Sequence, residues 1–151
     1  MAHADGPQTE IGGREVRTLA STAARIIAGV CGTSMLVFGG WALLAPTSFA
    51  ALVDFPPYNA HLLHDVGAFQ IGIGVTTWLA IFWDDALAVG LAGFVVAGGL
   101  HTGNHAADLE LGGHLADGWL LGSLVVLAAV GLVLQVRSSA GRRPREAARR
   151  R

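Results

Sequence analysis

Five of the six histidines of this chain fall in three short motifs, each with an aspartate close by. The motifs are His61-x-x-His64-Asp65, His101-x-x-x-His105-x-x-Asp108 and His114-x-x-Asp117. Imidazole nitrogens ligate Zn, Cu, Fe and Ni, and a nearby carboxylate commonly orients the ligating ring. Residues three, four or seven apart share one face of a helix. If the segments are helical, His61, His64 and Asp65 point one way, and His101, His105 and Asp108 form a stripe. His114 and Asp117 then form a third set.

Three kinds of chemistry fit such a cluster. The first is a metal or haem site built from all eight of these residues, with Zn, Cu and haem undecided; Gly98-Gly99 beside His101 would admit a bulky ring. The second is a hydrogen-bonded polar plug, in which aspartates accept from histidines and hold the helices in register. The third is a proton-relay or pH-responsive site, because histidine titrates near neutrality. An enzyme reading is weaker. The sequence contains no Ser-His-Asp elbow, phosphate loop or dinucleotide fingerprint. The His-x-x-x-His pair lacks the metalloprotease glutamate, since Thr102 follows His101. The one cysteine, Cys31, excludes an internal disulfide and a cysteine-based zinc site.

The elements that must position these groups are plain in the composition. Hydrophobic residues make up 52% of the 151 and charged residues only 14%, against ~25% charged in ordinary soluble domains. Mean hydropathy is +0.52. Four apolar stretches stand out, at residues 26–45, 66–83, 86–107 and 119–136. Each approaches the ~20 residues that cross a ~30 Å hydrocarbon core as a helix, the open-chain structure that satisfies its own backbone in lipid. The first is longer than the ~7–15 apolar residues of a signal peptide and is expected to be a retained helix. The expected fold is therefore all-α, a four-helix transmembrane bundle in a multi-pass protein of the cell membrane.

Arginine placement gives the direction. Arg14, Arg17 and Arg25 precede the first stretch, and Arg137 and six further arginines follow the fourth. Lysine is absent, and the two loops on the other side contain no arginine. The positive-inside rule then puts both termini in the cytoplasm. Counting ~20 residues from the inner boundaries at Asp84, Asp85 and Arg137 reaches His64, His105 and Asp117, so the three motifs share an outer depth.

Residues 1–20 read as a polar cytoplasmic tail with Gly-Pro and Gly-Gly breaks, leading into a helix near Thr18–Thr22. Residues 21–137 read as the membrane domain and 138–151 as a basic cytoplasmic tail attracted to anionic lipid. No aromatic or folded platform accompanies that charge, so nucleic acid is not an expected partner; the lipid bilayer is, and other membrane subunits are the alternative setting. Between the first two stretches a short interfacial helix is expected, with Pro46 capping the preceding span and Pro56-Pro57 ending the segment. Trp41, Tyr58 and Trp119 suit an outer aromatic belt, and Trp78 and Trp83 an inner one. Gly29, Gly32, Gly67, Gly72, Gly74, Gly90 and Gly93 are expected to let helices approach, and Gly118-x-x-x-Gly122 to pack within the bundle. Gln70 should hydrogen-bond across it, Cys31 should pack as a small apolar residue, and His3 should be inert.

The run Asn59-Ala60-His61-Leu62-Leu63-His64-Asp65-Val66-Gly67-Ala68, with the later Leu100-His101-Thr102-Gly103-Asn104-His105-Ala106-Ala107-Asp108, resembles small bacterial four-helix membrane proteins, loosely DoxX-like. The resemblance covers the middle third to half of the chain and departs at His64, where an arginine is more usual. It implies a helical membrane bundle and brings no established activity.

Overall fold

The computed structural model describes residues 6–54, 57–111 and 115–140, and these residues are almost entirely helical. Helices α1 (Gly6–Leu44), α3 (Ala60–Leu79), α4 (Asp84–Ala107) and α5 (Leu115–Ala140) are long; α2 (Pro46–Val53) is short. All four long helices contain a segment long and apolar enough to cross a membrane. Their outward faces are apolar too, with Val30, Val37, Phe69, Val89, Val96 and Val126 all exposed. A helix that is apolar around its whole circumference suits lipid rather than water, which supports a multi-pass membrane protein.

The helices begin and end where local chemistry directs. Asn59 caps α3, its side-chain oxygen accepting the Leu62 N–H at 3.1 Å, so the His61–Asp65 stretch is helical. Pro46 opens α2, where a missing N–H costs nothing, and Asp54 closes it in the left-handed region at φ 45°. The short helix expected between the first two stretches is thus present, with Trp41 Nε1 donating to Ser48 Oγ at 2.7 Å across the α1–α2 corner. One expectation is corrected. The Gly-Pro and Gly-Gly pairs do not break the chain before Thr18, because α1 is continuous from Gly6. Pro7 falls in the first turn, where proline is tolerated. Gly12 and Gly13 cost ~1 kcal/mol each relative to alanine, which a helix already nucleated in the span can absorb. His3 and residues beyond Ala140 lie outside the described residues.

Packing is pairwise. Helix α3 lies along α1, α4 along α5, and α1 joins the pairs through α5, whereas α3 and α4 touch sparsely. The α1–α3 seam is a set of facing glycines. Gly32 meets Gly74 and Gly39 meets Gly67, each pair so close that an added β-carbon would stand within about 3 Å of the opposite carbonyl oxygen. Such contacts let backbones approach in the absence of a hydrophobic drive between helices in lipid. The α1–α4–α5 core uses Ala24, Ala28, Cys31, Leu87, Leu91 and Ala128.

At the end of the bundle carrying the α3–α4 turn, three elements are tied together. Arg25 of α1 donates to the Ile81 carbonyl and pairs with the Asp84 carboxylate. Gln135 of α5, fully buried, donates to the Asp84 carbonyl at 2.9 Å. Gly90 of α4 also packs tightly on Ala80 there. This polar tie and close packing hold α3 and α4 together at one end, and the two helices are free to diverge towards the other.

Candidate functional site

At the end opposite that tie, α4 presents His101 and His105 one turn apart. Their rings stand edge to face, with centroids 4.9 Å apart and planes at 84°. The half-buried His105 lies over Gly118, and Thr102 lies over Gly122. The Gly118-x-x-x-Gly122 pair therefore packs inside the bundle, making room on α5 for these two side chains. His105 Nδ1 and Thr102 Oγ1 are buried without a hydrogen-bond partner.

Next to this face is a cavity of about 210 Å³ between α3 and the α4–α5 pair. Val66, Gln70 and Ile73 of α3 form one wall, Phe94, Ala97 and His101 of α4 another, and Leu121, Leu124 and Val125 of α5 a third; Met35 of α1 lies behind. The lining is apolar apart from Gln70 and His101. Phe69 of α3, 76% exposed, and the exposed His101 of α4 mark its open side. The sparse α3–α4 contact explains the opening. Gly98, beside His101, forms part of the lining and abuts Val125, whereas Gly99 faces open space.

The expected eight-residue centre does not assemble among the described residues. No group of three or more His, Cys, Asp or Glu side chains is placed there to hold a metal. His61 and Asp65 instead pair with each other, Nε2 to Oδ2 at 3.6 Å, with side chains 87% and 55% exposed. His64 is exposed as well. Asp108 caps the end of α4 through its backbone N–H, bonded to the Asn104 carbonyl at 2.8 Å. Asp117 lies in the first turn of α5 and makes no ion pair with a histidine among the described residues. His114 lies outside the described residues. The physical reason is neighbour choice: α3 packs along α1 and touches α4 only sparsely, and its His61 and His64 are exposed.

Other expectations divide. Gly32, Gly67, Gly74 and Gly90 do face neighbouring helices closely, whereas Gly72 and Gly93 face open space. Gln70 does not hydrogen-bond across the bundle through its Oε1, which is buried without a partner. Cys31 is a buried core residue, as expected. Trp78 reaches Thr33 on α1, Nε1 to Oγ1 at 3.0 Å, tying α3 to α1. The residues overlooked were Gly39, which repeats Gly32 after seven positions, and Gln135, a lone amide in an apolar span. Both signals were visible: the first as a heptad of glycines matched by Gly67 and Gly74, the second as a polar residue that lipid would disfavour.

Fold and site together define an all-α bundle with four helices able to span a membrane and a cavity that opens between two of them. No protein-family model, no curated protein and no solved structure matches the chain.

Proposed function

We propose that this chain is a multi-pass protein of the cell membrane, with both termini cytoplasmic, that acts as a membrane-embedded binding protein through the cavity beside His101. The observation carrying this is the cavity itself, an apolar space interrupted by two polar side chains from facing helices. Such a combination is the usual character of small-molecule sites. The orientation is supported by charge. Arg25 lies at the tied end with Asp84, while the α2 end carries Asp54, Asp65, Asp108, Glu110 and Asp117 and no arginine. The DoxX-like resemblance belongs to the same proposal and concerns architecture, not reaction.

The metal or haem reading of the same end retains His101 and His105 on one helix, two ligands where a closed zinc site takes four. The rival, a structural or interaction subunit of a larger membrane complex, needs no small molecule. Native mass spectrometry of the full chain, released from membranes in mild detergent, separates these readings. A retained small molecule that is lost in Ala97→Leu, which fills the cavity, supports binding. A protein that carries metal bound through His101 and His105 supports the second reading. Co-purifying subunits with no small molecule support the third.

A further inference from the structure

We infer that the cavity beside His101 takes the neutral, ring-sized head of a lipid-soluble molecule bearing a hydroxyl or carbonyl group, which enters sideways from the bilayer between α3 and α4. The inference rests on the binding reading above and adds the class of ligand and its route.

Size sets the first limit. An apolar cavity of ~150 Å³ is enough to admit benzene, so about 210 Å³ accommodates one ring with a short substituent. Phe69 and Phe94, on opposite walls, provide aromatic surface for such a ring. Met35 behind them has the flexible, polarizable side chain that adapts to irregular shapes.

Charge sets the second limit. The lining contains no Asp, Glu, Lys or Arg. An ionised head would therefore lose its hydration without a charged partner, at a cost of several kcal/mol. Phosphate and carboxylate heads are disfavoured on that ground.

The polar pair sets the third. Gln70 of α3 and His101 of α4 both line the cavity. An amide offers donors and an acceptor, and a neutral imidazole one of each. Gln70 Oε1 has no partner, and a buried amide oxygen gains most from acquiring one. A hydroxyl or carbonyl held by these side chains would satisfy that demand, whereas a plain hydrocarbon would not.

The route follows from the packing. The tie of Arg25 and Gln135 to the Ile81–Asp84 turn closes the far end between α3 and α4. The open side is flanked by Phe69, an apolar ring 76% exposed in a span suited to lipid.

The test is equilibrium dialysis of the full chain in lipid nanodiscs, with empty nanodiscs correcting for partition into bilayer. The probes are 4-propylphenol, propylbenzene and 4-propylbenzenesulfonate. Saturable uptake of 4-propylphenol is expected, with weaker uptake of propylbenzene and none of the sulfonate. Gln70→Leu and His101→Leu should each weaken 4-propylphenol roughly three- to tenfold, the worth of one hydrogen bond, and leave propylbenzene unchanged. Ala97→Leu should remove saturable uptake of both; Val66→Phe does the same from the opposite wall and serves if Ala97→Leu fails to fold. Equal affinity for all three probes would overturn the ligand class while leaving a binding cavity in place. Uptake no greater than in empty nanodiscs, or full binding by both cavity-filled variants, would overturn the inference itself.

Discussion

Gly39 of α1 and Gly67 of α3 face each other so closely that a β-carbon on Gly67 would stand 2.7 Å from the Gly39 carbonyl oxygen. The same β-carbon would also meet the Leu43 backbone nitrogen at 2.9 Å, so neither neighbour can yield by rotating a side chain. Gly67→Ala should therefore push α1 and α3 apart and lower stability by ~1–3 kcal/mol, the range for overpacking. Gly72→Ala, on the same helix but facing open space, should be neutral or stabilising by up to ~1 kcal/mol through helix propensity. Thermal unfolding in detergent, followed by circular dichroism, compares the two. Equal losses in both variants would dismiss the glycine seam.

The tied end should depend more on Gln135 than on the ion pair beside it. Gln135 is fully buried and donates to the Asp84 carbonyl, whereas the Arg25 and Asp84 side chains are about a third exposed and open to screening. Gln135→Ala should cost ~1–3 kcal/mol, and Asp84→Asn less. Arg25→Lys should fall between wild type and Arg25→Ala, because an ammonium cannot reach the Ile81 carbonyl and the Asp84 carboxylate with a planar fork. Urea or SDS unfolding midpoints give the order. A larger effect for Asp84→Asn than for Gln135→Ala would reverse the assignment.

The cap of α3 governs the first histidine motif. Asn59→Ala removes the acceptor for the Leu62 N–H and should cost ~0.5–2 kcal/mol. The loss should be local, with faster amide exchange at residues 60–64 and little change in α4. His61→Ala, by contrast, removes only one partner of an exposed pair and should leave the melting temperature unchanged. Exchange that quickens equally in α4 would argue against a local cap.

Membrane orientation can be read by cysteine labelling, since the lone native cysteine, Cys31, is buried in the core. In intact cells, an impermeant maleimide should label Glu110→Cys and spare Asp85→Cys, both at exposed positions. Cys31 itself should react only after denaturation. Labelling of Asp85→Cys from outside would invert the proposed topology.

Much of the architecture was legible in one dimension. Hydropathy and length are sums over a segment, so the four spans and the short helix at Pro46–Val53 could be read without knowing any neighbour. The arginine distribution, likewise additive, carried the expected direction. Level around the cavity is a finding of the structure, where Val66–Gln70, Ala97–His101 and Leu121–Val125 line one space.

What the sequence left open was azimuth and neighbour choice. The spacing in His61-x-x-His64-Asp65 shows that these groups share a face, but not which way that face turns. Tertiary packing decided it: the glycine pairs 32–74 and 39–67 dock α3 on α1, which leaves His61 and Asp65 on an exposed flank and sets Gln70, rather than a histidine, opposite His101. A helix is free to rotate about its own axis until close contacts on one side forbid it. Those contacts exist only between segments distant in the chain, and so only the folded structure could determine them.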